Sequence, residues 1–136
     1  MSLDLGIVAK KKNIDGSLEC EQNLGSYANS SPLRVLLAIP VECNEHELSK
    51  DEFKRVVADM SKWKEDFVLA SNMSRYYQQN KQVICDKFNE WCEIKFGTRA
   101  DQAEQNFIAF SNLWKNKDEI MSYIDNPDYD VVALSN

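Results

Sequence analysis

The segment Arg75–Gly97, RYYQQNKQVICDKFNEWCEIKFG, predicts one long helix that is apolar over more than half of its circumference. Its first apolar stripe consists of Tyr77, Ile84, Phe88, Trp91 and Cys92, and a second stripe beside it consists of Tyr76, Val83 and Ile94. Gly97 is a favourable C-terminal cap, because glycine adopts the left-handed conformation without strain. Several neighbours must cover such a helix. We therefore expect it to be the central helix. We also expect truncation of Trp91 to lower the stability of the protein more than any other single truncation.

A second helix is predicted before this one, over residues 50–70. Ser49 and Glu52 form an S-x-x-E capping box, which supplies acceptors to the free amides of a helix start. Apolar residues follow at helical spacing: Phe53, Val56, Val57, Met60, Trp63 and Phe67. The sequence Ser71-Asn72-Met73-Ser74 is expected to break or bend the chain between the two helices.

Two more helices are predicted after Gly97. Thr98 and Asp101 begin the first of them, with Ala103, Phe107, Phe110 and Trp114 on one face. Asn116 and Glu119 repeat the capping pattern, which predicts a short fourth helix that ends before Pro127.

The N-terminal segment predicts a β-hairpin. Asp15-Gly16 favours a type I′ turn, in which both central residues have positive φ, and the alternating apolar residues Leu3, Leu5, Ile7 and Ala9 precede it. The register of Lys11–Gln22 also approaches that of a calcium-binding EF-hand loop. Its first and twelfth positions are the cation Lys11 and the amide Gln22, however, where that loop needs carboxylates. The hairpin is therefore the better interpretation.

The apolar residues of Tyr129–Leu134 predict a C-terminal strand that pairs with this hairpin, whereas Leu33–Ile39 fits a strand or a short helix equally well. These elements predict a mostly helical α+β fold, with about four helices packed on a small antiparallel sheet formed by the N-terminal hairpin and the C-terminal strand. We expect residues 1–136 to form a single domain: a hairpin and connecting segment (1–47), a helical layer (48–125) and the C-terminal strand (126–136).

Composition and charge narrow the class of function. The chain has 136 residues, 43% of them hydrophobic, and a net charge of −6 without a basic patch. This charge disfavours direct binding to nucleic acid or to an anionic membrane. No secretory signal and no membrane-spanning run is evident, so we expect a cytoplasmic protein. The four cysteines form no CxxC pair and are expected to be reduced and mostly buried.

Catalytic motifs are lacking in the sequence. It contains no GxSxG, P-loop or GxGxxG pattern, and its single histidine, His46, is expected to be a solvated loop residue in the connection Glu42–Glu47. Asp125, Asp128 and Asp130 in DNPDYD have the oxygen chemistry that Mg²⁺ or Ca²⁺ prefers, but such a cluster is more typical of a solvated turn. We therefore expect no enzyme, no cofactor and no metal, and keep a metal-dependent enzyme using these carboxylates as an alternative.

The last third of the chain predicts a binding surface instead. Residues 98–136 hold three basic and seven acidic residues, with tyrosines beside the carboxylates. The predicted contact residues are Asp118, Glu119, Tyr123, Asp125, Asp128, Tyr129 and Asp130. Tyrosines supply rigid contact area, and like charges steer a partner of opposite charge. The hypothesis is a non-enzymatic protein-binding factor, an inhibitor or immunity-type protein acting on a basic protein. The other alternative is an acidic mimic of DNA.

Overall fold

The computed structural model describes residues 4–135 and confirms the mostly helical α+β class with an antiparallel sheet. The strands are β1 (Asp4–Lys12), β2 (Leu18–Ala28), β3 (Glu45–Glu47) and β4 (Tyr129–Ser135). The helices are α1 (Ser31–Leu36), α2 (Lys50–Met60), α3 (Lys64–Ser71), α4 (Arg75–Phe96) and α5 (Ala103–Ile124), and a 3₁₀ turn (Ser61–Trp63) joins α2 to α3.

The four strands form one antiparallel sheet in the order β2-β1-β4-β3. The predicted pairing of the C-terminal strand with the hairpin is confirmed: Ile7 lies opposite Ala133, and Ala9 lies opposite Val131. All four of these side chains are buried. They form the side of the sheet on which α5 packs, so the two layers share one core.

The hairpin is confirmed, but its predicted turn type is wrong. The Gly16 amide donates to the Asn13 carbonyl at 2.9 Å, and Gly16, with φ 86°, is the turn residue with positive φ. Asp15 therefore stays in an ordinary conformation, and its carboxylate accepts hydrogen bonds from the Ser17 amide at 2.9 Å and the Ser17 hydroxyl at 2.6 Å. The loop spans five residues instead of two, so one left-handed glycine is enough to close it. Leu3 lies outside the described residues.

The predicted helix over residues 50–70 is two helices, because the 3₁₀ turn Ser61–Trp63 interrupts it. Its predicted start is confirmed, since the Ser49 hydroxyl accepts the Glu52 amide at 3.2 Å. The predicted break before the next helix is also confirmed: α3 ends at Ser71, and Met73 adopts the left-handed conformation with φ 53°.

The two helices predicted after Gly97 are a single helix, α5. Asn116 caps nothing; its side-chain amide lies in mid-helix and donates to the Tyr27 hydroxyl at 2.9 Å. At the true start, Gln102 is the cap position and makes no side-chain capping bond, so Thr98 has no such role either. A four-residue capping pattern is short enough to occur inside a helix, where tertiary contacts decide the outcome.

The ambiguous segment Leu33–Ile39 belongs to α1 for its first four residues. The Ser30 hydroxyl accepts the Leu33 amide at 3.3 Å, and Pro32 occupies the first turn, where its missing amide costs nothing. Leu33, Leu36 and Leu37 are buried. The signal that separates helix from strand is therefore the Ser-Ser-Pro that precedes the apolar run.

The predicted central position of α4 is wrong. Its first stripe faces the core, with Trp91 only partly buried, but Tyr76, Val83 and Ile94 of the second stripe are 59%, 54% and 87% exposed. The helix that touches most of the structure is α5, which lies against β2, β4 and each of the other four helices. It buries Phe107 and Phe110 completely, so it is the element around which the two layers assemble.

Candidate functional site

The seven predicted contact residues lie along one continuous segment, which we call the acidic corner: Asp118, Glu119, Tyr123, Asp125, Asp128, Tyr129 and Asp130. The structure brings Tyr123 and Tyr129 into contact, whereas Asp130, the next residue along β4, lies on the other face of the sheet beside Lys12. The seven residues belong to the last turns of α5, the connection after it and the start of β4. A tight turn reverses the chain there, since the Tyr129 amide donates to the Asn126 carbonyl at 3.1 Å and the Asn126 side chain accepts the Asp128 amide at 3.0 Å. The turn returns β4 beside the end of α5.

The two tyrosines of the acidic corner form one aromatic pair. The rings of Tyr123 and Tyr129 meet edge to face, with centroids 4.9 Å apart and planes at 81°. Both side chains are half-buried, so one side of the pair supports the structure and the other meets solvent. Burial raises the pKa of the Tyr129 phenol, and the neighbouring Cys20 thiol raises it further while Lys11 opposes the shift. Tyr129 therefore keeps its proton, and remains a hydrogen-bond donor, at neutral pH.

Lysines neutralise part of the corner's negative charge. Asp125 lies 3.0 Å from the Lys50 ammonium, and Asp130 lies 2.9 Å from that of Lys12. Asp118 is 92% exposed and only 3.8 Å from the Lys117 ammonium, which rests over the Trp114 ring. Among the described residues, Glu119 and Asp128 have no ion-pair partner. The charge that remains for a partner is concentrated on Glu119 and Asp128 and on Asp118, whose ion pair with Lys117 is long and solvent-exposed.

The aspartates of the connection do not form a metal site here. Within residues 4–135, no group of three or more His, Cys, Asp and Glu side chains is placed to hold a metal ion. Asp125 and Asp130 each form an ion pair with a lysine, Lys50 of α2 and Lys12 of β1 respectively.

The interpretation of His46 as a solvated loop residue is wrong. His46 lies on β3 opposite Ala133, and its side chain is only 19% exposed. Its Nε2 atom is 3.4 Å from the Glu52 Oε2 atom, and neither of these buried atoms has a hydrogen-bond partner within the described part of the chain. The histidine therefore lies between the edge strand and the first turn of α2.

The cysteines are free, as predicted, but only two are buried. Cys85 and Cys92 lie in the core, Cys43 is partly exposed, and Cys20 is exposed on β2. The expectation that the four thiols are mostly buried is therefore wrong for Cys20.

One feature that sequence reasoning missed is the hairpin arm, residues 12–23. Every residue in it is exposed, which means that this half of the hairpin extends past the helical layer. A signal for it exists in the sequence: after Leu18 the strand reads Glu19-Cys20-Glu21-Gln22-Asn23, so neither face offers an apolar row to bury.

A comparison with protein-family models, with curated proteins and with solved structures gives no match to this chain. Within residues 4–135, every helix is too short or too polar to cross a membrane. The candidate site therefore has to be judged from its own geometry.

Proposed function

We propose that this protein is a non-enzymatic binding factor, an inhibitor or immunity-type protein that binds a basic protein through the acidic corner. The observation that carries the proposal is the edge-to-face pair of Tyr123 and Tyr129 among exposed carboxylates. Such a pair is held rigid before binding, so little side-chain freedom is lost when a partner covers it.

The charges around the pair have a different role from the rings. Asp118, Glu119 and Asp128 are exposed, and exposed charges of one sign accelerate the encounter with an oppositely charged partner. The side of the tyrosine pair that meets solvent packs against the partner in the proposed complex, and such packed contacts act mainly on the dissociation rate. We thus assign the association rate to the exposed carboxylates and the dissociation rate to the tyrosine pair.

The two alternatives have less support. A DNA mimic needs a continuous acidic surface, but Asp125 and Asp130 are paired with Lys50 and Lys12, and Glu45 is paired with Lys10. A metal-dependent enzyme needs converging ligands, and no such group occurs within the described residues. Protein binding requires neither feature.

Site-specific photocrosslinking tests the proposal. A benzophenone amino acid at position 128 should capture a basic protein from the native host, whereas the same group at position 76, on the exposed face of α4, should not. The captured protein is then purified for kinetics. Equal capture from both positions would contradict the proposal.

Charge reversal tests whether the acidic corner accelerates association with the partner beyond the effect of the protein's net charge. The triple variant Asp118→Lys, Glu119→Lys, Asp128→Lys should slow stopped-flow association and flatten its dependence on salt, because screening acts over about 8 Å at physiological ionic strength. The matched control, Glu65→Lys, Glu90→Lys, Asp101→Lys, changes net charge equally at exposed sites outside the acidic corner. Identical rates for the two variants would place the contact elsewhere.

Truncation of the tyrosine pair should act on the other rate. Tyr129→Ala should speed dissociation about tenfold or more and leave association within about threefold, as expected when a central aromatic contact is lost. Tyr76→Ala, which removes an exposed tyrosine from α4, is the control. A Tyr129→Ala variant that folds and dissociates at the wild-type rate would contradict the proposed role of the pair.

A further inference from the structure

The outer edge of β2 has no strand beside it in the described structure. The sheet order places β2 at one end, and β2 pairs only with β1. The residues from Leu18 to Asn23 are all exposed, and no helix covers them because they belong to the hairpin arm. An edge of this kind presents backbone N–H and C=O groups that another strand can pair with.

The regular part of the β2 edge ends at a bulge. Between Gly6 and Val8 the register of the β1–β2 pair shifts, which leaves Leu24 and Gly25 of β2 opposite the single residue Ile7. Gly25 has φ 127° at this bulge. Bulges bend a strand, so the proposed contact is confined to residues 18–23, about 20 Å of extended chain, and a second register shift, between Lys11 and Lys12, leaves Glu19 without an opposite residue on β1.

Charge selects what this edge can accept. The chain has no lysine or arginine between Lys12 and Arg34, and the carboxylates of Glu19 and Glu21 lie on the edge strand itself. Glu19 is 3.7 Å from the Lys11 ammonium, whereas Glu21 has no ion-pair partner among the described residues. A basic strand would therefore be attracted to the edge, and an acidic one would be repelled.

The same charges disfavour a second copy of this chain. If two β2 edges paired antiparallel about Cys20, Glu19 of each copy would lie opposite Glu21 of the other. Like charges directly opposite each other destabilise a strand pair. In this register the acidic residues disfavour self-association, and a basic strand would be attracted to the same edge.

The edge is continuous with the acidic corner. Lys11 of β1 lies opposite both Cys20 of β2 and Tyr129 of β4, so these three residues form one row across the sheet. The Tyr123 ring packs on Tyr129 at the end of this row. A segment bound along β2 would therefore lie three strand spacings, about 14 Å, from β4 and its Tyr129.

We propose that the outer edge of β2, residues 18–23, binds an extended, basic segment of the protein partner as a fifth strand of the sheet. The proposal rests on the proposed function and names the backbone part of the same binding surface. Main-chain hydrogen bonds to the edge hold the segment, and Glu19 and Glu21 select its charge.

Amide hydrogen exchange measured by NMR tests the strand addition directly. The probe is a capped seven-residue peptide of alternating Lys and Val. At millimolar concentration it should slow exchange of the outward amides within residues 18–23 by about tenfold, because strand pairing protects them. A peptide of the same sequence with alternate residues N-methylated keeps the charge but loses the strand donors, so it should give no protection. A Glu/Val peptide should also give none.

A protein variant then checks the selection by charge. Glu19→Lys with Glu21→Lys should abolish the protection by the Lys/Val peptide, whereas the control Glu65→Lys with Glu90→Lys should retain it. Equal protection by the methylated peptide, or none from the unmethylated one, would overturn strand addition. A dimer of the free protein by light scattering whose formation slows exchange of the amides within residues 18–23 would also overturn it, because a second copy would then be the occupant.

These outcomes are separable from failure of the proposed function. If the purified partner still depends on Asp118, Glu119 and Asp128 while residues 18–23 show no protection, strand addition is wrong and the acidic corner stands. If the corner variants have no effect on the partner but the edge is protected by the Lys/Val peptide, the edge stands without the corner.

Discussion

The aromatic core and the hairpin arm are held together by different forces. In the core, the Phe88 ring lies 5.0–5.8 Å, centroid to centroid, from those of Trp63, Phe67, Trp91, Phe107 and Phe110. Most of these rings meet edge to face, the geometry that aromatic quadrupoles favour. In the arm, every side chain is exposed, and order comes from strand pairing and a five-residue turn.

This difference separates what maintains the fold from what is free to change. A core position is constrained by many packed neighbours, so its residue is fixed by volume and shape. An arm position is constrained mainly by its backbone, so its side chains can be selected for charge without affecting the core. The following variants test this division.

The largest effect is expected at the centre of the core. Phe88→Ala should lower the free energy of unfolding by about 3–5 kcal/mol, because it removes a completely buried ring and leaves a cavity. Trp91→Ala should cost less, since Trp91 is only partly buried, which reverses the expectation from sequence. Urea denaturation measures both, with Tyr76→Ala as an exposed aromatic control. A loss at Phe88 smaller than that at Trp91 would contradict the assignment of the core's centre.

The second-largest loss of stability is expected in a series of buried side-chain hydrogen bonds that connects α1, α4 and α5. The Ser30 hydroxyl donates to the Asn106 side-chain oxygen at 2.7 Å, and the Asn106 amide donates to Asn89 at 3.3 Å, which in turn donates to the Ala100 carbonyl at 3.1 Å. Asn106→Ala should cost about 2–3 kcal/mol, because it leaves buried partners unsatisfied. Chemical denaturation should show no comparable loss for the exposed neighbour Gln105→Ala. Equal losses would mean that the chain of hydrogen bonds contributes nothing specific.

A smaller effect is expected at the bulge where the arm leaves the core. A Cβ atom at Gly25 would clash with the Tyr27 hydroxyl, and Gly25 also has φ 127°. Gly25→Ala should therefore lower thermal stability by the equivalent of about 1–2 kcal/mol. Gly16→Ala in the turn has a positive φ but nothing within 4 Å of the new Cβ, so it should cost less. Equal melting temperatures for the two variants would mean that the contact with Tyr27 does not contribute to the loss of stability.

The smallest effect on stability is expected within the arm. Cys20→Ser should shift the free energy of unfolding by no more than about 0.5 kcal/mol, because the side chain is exposed. Reactivity should differ instead. Cys20 should be labelled quickly at pH 8, whereas Cys92 should wait for unfolding, since burial raises the pKa of its thiol to about 12. If mass spectrometry of partly labelled protein showed Cys92 labelled as early as Cys20, the expected order would be wrong.

The sequence correctly predicted the features that depend on a few adjacent residues. Its predictions were wrong for features that depend on residues distant in the sequence. The Ser49 cap, the break after Ser71 and the Gly97 stop are all properties of a few adjacent residues, and each is confirmed. The capping pattern at Asn116 was wrong because Asn116 found a partner, Tyr27, 89 positions away. Periodicity also could not tell which of the two apolar stripes of α4 would find a covering layer.

The candidate site shows the same limit. Its residues were predicted from their composition, and the structure brings Tyr123 and Tyr129 into contact. The lysines that neutralise Asp125 and Asp130 come from positions 50 and 12, which no local pattern connects to residues 125–130. The binding role itself stays a prediction.

The position of β4 inside the sheet has a consequence for biosynthesis. β4 lies between β1 and β3, so until residues 129–135 leave the ribosome β1 is paired with β2 alone and β3 has no strand beside it. Until then the edge of β1 that carries the buried residues Leu5, Ile7 and Ala9 has no strand beside it. Contacts of such long sequence separation form late and leave apolar strand surface exposed meanwhile. A nascent chain that stalls before β4 is therefore a predicted substrate for chaperones, whereas one released after β4 can close its sheet unaided.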